Sequence, residues 1–225
     1  MMTLFIGFGK LAKTLAMLLK DKDIHVFSRT KEKVIDDINE FDHLHWAEPE
    51  SFNYKREVWL LLPLEQINRF FESYHRYFHE DTIFYFCVTK GRVHDYQGWL
   101  TKQQKMVPVK FVTEARQLLK DKKGMAAIPK AYSHYQVQLQ QWFGNCMDVV
   151  IAEEEQVYTV NKAATKKAIE LLVELRNDLK KEQIPNSLID HASQQIILGV
   201  IDSYLKGDLG GFGKQVVNEI KKRHK

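Results

Sequence analysis

The first half of the chain alternates between two patterns of apolar residues. One is a short, nearly continuous apolar run, which is typical of a strand buried on both faces. The other repeats apolar residues every three or four positions, as at Leu11, Leu15 and Leu18, and predicts a helix. Strands are predicted at residues 3–6, 24–27, 44–46, 58–62 and 82–88, with helices between them at about 11–20, 31–38 and 66–78. Strands separated by helices indicate a mostly parallel sheet with right-handed crossovers.

The same alternation continues more weakly as far as residue 153. It predicts strands at residues 106–112, 125–128 and 149–151, and a helix over 132–143. Pro108 cannot donate a backbone hydrogen bond, so the strand that contains it is expected at the edge of a sheet.

Only helical patterns follow residue 153. Apolar residues recur with helical spacing over 157–179 and 188–205, and a third helix is predicted from about 214 to 222. Apolar faces this wide usually pack on the rest of the chain, on a second copy, or on both. We therefore predict an α/β fold. It has a Rossmann-type, mostly parallel sheet in residues 1–153 and an all-helical C-terminal dimerisation domain in residues 154–225, through which a homodimer forms.

A glycine-rich turn lies between the first strand and the first helix. Gly7-Phe8-Gly9-Lys10-Leu11-Ala12 fits the pattern G-x-G-x-x-A, which gains weight from this position. The first glycine permits a tight turn, the second lets a pyrophosphate approach the backbone, and the small alanine allows close packing of helix on strand. The pattern indicates a dinucleotide site at the N-terminus of the helix. The alternative is a glycine turn that binds nothing.

The residues after the second strand discriminate between NAD and NADP. An acidic residue there would bind the ribose 2′-hydroxyl of NAD, whereas this chain has Ser28, Arg29 and Thr30, with Lys31 and Lys33 close by. Hydroxyls and a guanidinium suit a 2′-phosphate. The predicted cofactor is therefore NADP(H), and the alternative is a solvated basic loop.

Composition and charge exclude several classes of protein. A net charge of +4, spread along the chain, is small for a nucleic-acid binder, so no nucleic-acid partner is expected. The apolar runs are too short to span a membrane, and the two cysteines form neither a CxxC pair nor a zinc pattern. His75 and His79 have i, i+4 spacing but lack the glutamate of an HExxH motif, so no metal site is predicted. We expect a cytoplasmic protein with a small-molecule substrate.

Several segments together resemble the pyrroline-5-carboxylate reductase family, within the 6-phosphogluconate-dehydrogenase-like folds. The glycine turn and the Ser28-Arg29-Thr30 loop are similar to the family's NADP site. Residues 58–63 resemble a strand that ends in a Val-Lys-Pro motif, and 83–91 resemble the segment beside the nicotinamide. Further similar segments are 123–127, 143–154 and 194–199.

The resemblance implies a reductase that transfers hydride from NADPH to a cyclic imine and yields proline. It implies that Leu62, Pro63 and Cys87 join the glycine turn and the 28–33 loop in holding the cofactor. Departures occur in the substrate half. The Met-Pro-Asn-Thr-Pro motif is absent at 107–114, the Ser-Gly-Ser-Gly-Pro helix start is replaced at 159–164, and the substrate loop is reduced to 209–213.

The proton donor is the least defined part of the predicted site. Asn161 and Lys162 are weak catalytic candidates, because an Asn-Lys pair can orient a carbonyl or carboxylate; the alternative is a solvated start of a helix. Thr89 and Lys90 lie near a strand end. The sequence favours an NADPH-dependent oxidoreductase that reduces a small cyclic imine or carbonyl compound. The alternative is an NADP-binding sensor or interaction protein without efficient catalysis.

Overall fold

The computed structural model describes residues 2–223, so Met1, His224 and Lys225 lie outside the described residues. Contacts divide the chain into two compact units, Met1–Lys162 and Ala163–Lys225. The division falls within a long helix that begins at Glu154, whereas the sequence predicts the boundary just before this helix.

Six parallel strands form the main sheet of the first unit. In chain order they are β1 (Thr3–Ile6), β2 (Ile24–Phe27), β3 (Leu44–Trp46), β4 (Glu57–Leu60), β5 (Ile83–Phe86) and β6 (Lys105–Pro108). Their order across the sheet is β3-β2-β1-β4-β5-β6, so the order reverses between β1 and β4. Every pair is parallel, as the alternation of strands and helices predicts. β6 lies at an edge, which agrees with the interpretation of Pro108.

The helices of the first unit cover both faces of this sheet. They are α1 (Lys10–Leu18), α2 (Ile35–Asn39), α3 (Ile67–Tyr74), α4 (Ala115–Asp121) and α5 (Gln136–Phe143). Phe5 and Trp59 point into a core cluster on one face, and Leu4, Ile6 and Leu60 point into a second cluster on the other. All five side chains are at most 1% exposed, which explains why the strands read as unbroken apolar runs.

A smaller sheet accounts for the weaker second part of the pattern. It contains β7 (Lys110–Phe111), β8 (Gly124–Ile128) and β9 (Met147–Ile151), with β7 antiparallel to β8 and β8 parallel to β9. The strand predicted at 106–112 is therefore wrong as a single element. It divides at Val109 between β6 of one sheet and β7 of the other.

Helices joined by short turns make up the described residues of the second unit. α6 (Glu154–Lys181) crosses from the first unit, and α7 (Asn186–Ala192), α8 (Leu198–Lys206) and α9 (Gly211–Arg223) follow. A π-helical turn, Ser193–Ile197, joins α7 to α8, so the predicted helix over 188–205 is continuous but locally widened. Among the described residues, no helix combines the length and apolar character needed to cross a membrane. The predicted fold class, a Rossmann-type sheet followed by helices, is confirmed.

Candidate functional site

A groove of about 900 Å³ opens at the carboxyl ends of β1, β2, β4 and β5. It straddles the point where the strand order reverses, which is where ligands bind in open parallel sheets. The structure brings all the residues predicted to hold the cofactor to the wall of this one groove. They are Gly7, Phe8, Gly9, Lys10, Leu11, Ser28, Arg29, Thr30, Lys33, Leu62, Pro63 and Cys87.

Gly7 makes the turn from β1 into α1 possible. Its φ of +93° lies in the left-handed region, and its N–H donates to the carbonyl oxygen of Phe27 at 2.8 Å. A Cβ built on Gly7 would lie 2.7 Å from the carbonyl oxygen of Leu61. Both the backbone angle and the neighbouring strand end therefore require glycine.

Gly9 has a different reason to be glycine. It precedes α1 in an ordinary extended conformation, and a Cβ built on it would meet nothing within 4 Å. Within the described chain no side chain caps α1, and its first turn holds no acidic residue. Free N–H groups and the positive end of the helix dipole therefore face the groove beside an open space, an arrangement that suits an anion.

The cations at the end of β2 divide into two groups. Arg29 and Lys33 line the groove, and neither has an ion-pair partner in the part of the chain that the structure describes. Lys31 instead forms an ion pair with Glu48, with 2.8 Å between Nζ and Oε1, and its Nζ lies 5.1 Å from the centroid of the Trp46 ring. Lys31 does not line the groove, although the sequence pattern groups it with Lys33.

The electrostatic balance of the groove is positive. Glu65 is the one acidic side chain among the described residues that line it. The cationic side chains that line it are Lys10, Lys13, Arg29, Lys33 and Lys90. Lys13 pairs with Asp37, so its charge is compensated.

A smaller pocket of about 140 Å³ adjoins the groove and shares Ser28 and Arg29 with it. Arg69 and Tyr74 of α3 line this pocket as well. No local motif in the sequence marks Arg69. It lines the same pocket as Arg29 only because α3 places it there.

The other end of the groove follows β4 and β5. Leu62 and Pro63 line it just after β4 ends, and Cys87, Thr89 and Lys90 line it just after β5 ends. Cys87 is only 7% exposed, and burial raises the pKa of its thiol well above the ordinary value, so the thiol stays protonated at neutral pH. Thr89 and Lys90 are exposed and carry the proton-donating groups at this end.

The two weak catalytic candidates are placed elsewhere. Asn161 donates from Nδ2 to the carbonyl oxygen of Phe111 at 2.8 Å, which ties α6 to β7. Lys162 is exposed, with Nζ 5.6 Å from the centroid of the Tyr158 ring. Neither residue lines the groove.

Lys110 is a buried lysine that the sequence analysis overlooked. Its side chain is 1% exposed and forms an ion pair with Glu154, with 3.0 Å between Nζ and Oε2. Burial lowers the pKa of the Lys110 amine, and the neighbouring carboxylate opposes that shift. The two residues are far apart in the sequence, so no motif could have indicated the pair.

The described residues contain no group of three or more histidine, cysteine, aspartate or glutamate side chains that could hold a metal ion. His75 donates from Nδ1 to the carbonyl oxygen of Phe71, and His79 interacts with Asp81 instead of with His75.

No protein-family model matches the chain, and no curated protein matches it in sequence. Solved structures do match. A pyrroline-5-carboxylate reductase from Coxiella burnetii superposes with a TM-score of 0.66 at 14% identity, covering 97% of this chain and 84% of that one. The Plasmodium falciparum pyrroline carboxylate reductase with NADP bound gives 0.65 at 13% identity, covering 97% and 84%. An imine reductase from Streptomyces aurantiacus gives 0.63 at 10% identity, covering 94% and 80%. The chain therefore shares the fold of pyrroline-5-carboxylate reductases and of an imine reductase.

Proposed function

We propose that the protein is an NADP(H)-dependent oxidoreductase that reduces a small cyclic imine or carbonyl compound. One observation carries the proposal: the glycine turn, Arg29 and Lys33 line a single groove at the reversal of strand order. The similar folds include a reductase solved with NADP bound, which supports the choice of cofactor.

The residues of the groove fit the parts of this cofactor. The pyrophosphate binds in the open space beside Gly9, at the N-terminus of α1. Glycine suits this position because any side chain there would fill the space. Arg29 and Lys33 supply positive charge for the 2′-phosphate, and Ser28 and Thr30 supply hydroxyl donors. Cys87, Thr89 and Lys90 then line the end of the groove that receives the nicotinamide half.

When bound, NADPH supplies the hydride for the reduction. The carbon of a C=N or C=O bond accepts it, the double bond becomes single, and the nitrogen or oxygen takes up a proton. Thr89 and Lys90 are the groove residues with protons to donate at this end, and the neutral thiol of Cys87 adds no competing charge.

A finer assignment follows from the sequence resemblance. The substrate would be pyrroline-5-carboxylate and the product proline, formed in the cytoplasm, where the free thiols of Cys87 and Cys146 would stay reduced. A homodimer would form through the C-terminal helices, which expose large apolar side chains such as Leu205 and Phe212, 79% and 81% exposed.

A second candidate function is an NADP-binding sensor or interaction protein without efficient catalysis. It is supported by the hydrogen bond from Asn161 to the backbone of Phe111, because this catalytic candidate is then held outside the groove.

Two measurements test the proposal and separate the candidates. Calorimetric titration with NADPH and with NADH measures the preference of the protein for one nucleotide over the other. The oxidation of NADPH is then followed in the presence of pyrroline-5-carboxylate and of other cyclic imines. Preferential NADPH binding with turnover supports the reductase, and preferential binding without turnover of any imine or carbonyl compound supports the sensor. Absence of binding to either nucleotide would overturn both.

A further inference from the structure

Lys110 is enclosed where the two sheets of the first unit meet. Its side chain is 1% exposed, and Nζ lies 4.3 Å from the centroid of the Phe86 ring at the end of β5. A charged amine in such surroundings needs partners for its three N–H bonds, because an unpaired buried charge is strongly destabilising.

The partners of Lys110 come from two separate parts of the chain. Nζ donates to the carbonyl oxygen of Val88 at 2.5 Å and to that of Gly91 at 2.8 Å. It also pairs with Oε2 of Glu154, the first residue of α6, at 3.0 Å. The three donors are therefore all used, two of them by the loop that follows β5.

Glu154 holds the same loop at a third point. The N–H of Val93 lies 3.3 Å from each carboxylate oxygen of Glu154. We refer to Lys110 and Glu154 as the clamp. Together they fix two carbonyls and one N–H of the 88–93 loop.

The 88–93 loop also has little room to move on its inner side. A Cβ built on Gly91 would lie 2.7 Å from Cζ of Phe86 and 2.8 Å from Cδ1 of Leu64. On its outer side, Val88, Thr89 and Lys90 line the groove. The clamp therefore determines where this part of the groove wall lies.

We propose that Lys110 and Glu154 are positioning residues that set the affinity for the nicotinamide half of the dinucleotide by fixing the 88–93 loop. The inference rests on the proposed function. It predicts that changes to the clamp affect the binding of the nicotinamide half more than that of the other half. The glycine turn and Arg29 follow β1 and β2, and among the described residues they form no hydrogen bond or ion pair with the clamp.

The first test examines the loop in the ligand-free protein. Lys110→Met keeps the apolar stem and removes the ammonium, and Glu154→Gln removes the opposite charge. Lys105→Met is the matched control, since Lys105 is an exposed lysine of β6 that does not line the groove. Amide hydrogen exchange is expected to rise in the 88–93 loop in both clamp variants, with little change in β1 and α1, and to stay unchanged in Lys105→Met.

The second test compares two ligands. NADPH spans the whole groove, whereas adenosine 2′,5′-bisphosphate carries the 2′-phosphate but lacks the nicotinamide half. The clamp variants should bind NADPH about tenfold more weakly or worse and bind adenosine 2′,5′-bisphosphate as the wild type does. Equal losses for both ligands, or unchanged NADPH affinity, would overturn the positioning role.

A double variant covers the case in which the single variants do not fold. Lys110→Met combined with Glu154→Met replaces the pair by apolar side chains, a change that often preserves stability. It should show the same selective loss of NADPH affinity, and wild-type affinity in the folded double variant would refute the inference. If the wild type binds neither nucleotide, the proposed function fails; unchanged exchange in the loop would refute the clamp itself, whether or not nucleotides bind.

Discussion

Gly7 lies so close to the end of β4 that a Cβ on it would stand 2.7 Å from the carbonyl oxygen of Leu61. Replacement by alanine would add this clash to the strain of a φ of +93°. We expect Gly7→Ala to lower the free energy of unfolding by about 2 kcal/mol or more. Denaturant unfolding measures the loss, and a stability equal to that of the wild type would show that the turn tolerates a side chain.

The other glycine of the turn should separate stability from binding. Gly9 has φ of −79° and open space where a Cβ would be, so Gly9→Ala should fold with near-wild-type stability. The added methyl group would occupy the place proposed for the pyrophosphate. We expect at least about a tenfold loss of NADPH affinity, or ~1.4 kcal/mol, by calorimetry. Unchanged affinity would place the phosphates elsewhere.

Cofactor preference should depend on Arg29. Arg29→Glu places a carboxylate where the 2′-phosphate is proposed, and it should weaken NADPH binding by roughly 1–3 kcal/mol while affecting NADH little. Lys31→Gln is the control, since Lys31 pairs with Glu48 outside the groove. Equal losses of affinity for the two nucleotides in Arg29→Glu would refute the role in 2′-phosphate binding.

The apolar face of the C-terminal helices offers a test of the dimer. Phe212 is 81% exposed, and burying a side chain of this size contributes about 1.5–3 kcal/mol. Phe212→Asp should shift the mass measured by light scattering from dimer towards monomer. Val137→Asp, at a 68% exposed position of α5, should leave the mass unchanged. A monomeric wild type, or a dimer untouched by Phe212→Asp, would contradict the proposed interface.

The stability of the fold should fall as the solution becomes acidic, partly through His25. Burial lowers the pKa of His25 below its ordinary 6.5, with a further contribution from Lys55, while Asp23 opposes the shift. The unfolded chain therefore takes up a proton at His25 before the folded chain does, and stability is lost as the pH falls below about 6.5. His45 also lies beside Asp23, with 2.9 Å between its Nε2 and Oδ1 of the aspartate.

Thermal unfolding of His25→Gln would measure this contribution. The variant should lose less stability than the wild type when the pH is lowered from 7 towards 5. Parallel pH dependences for the two proteins would exclude His25 as a source of acid sensitivity.

The parts of this fold that follow from local pattern were predictable. β1, β4 and β5 show short apolar runs because their side chains are almost all buried on both faces, and the glycine turn is a contiguous motif. α4 was missed because only Leu118 of its short sequence is buried, which leaves no periodic pattern to detect.

Features that depend on contacts between residues far apart in the chain could not be predicted from the sequence. The run at 106–112 is apolar except for Lys110, yet Pro108 ends β6 and Lys110 begins β7 in another sheet. The clamp likewise joins residues of β7 and α6 that only the sheet topology brings together. The sequence pattern groups Lys31 with Lys33 because the two are close in the chain. In the structure Lys31 instead forms an ion pair with Glu48.

The reversal of strand order between β1 and β4 has a practical consequence for engineering. One wall of the groove comes from residues 7–33 and the other from residues 61–90, and these two stretches belong to opposite halves of the sheet. Under the proposed function, exchange of the 28–33 loop would therefore alter the choice of cofactor while the 88–93 loop stays intact. The choice of substrate could then be adjusted separately in the same chain.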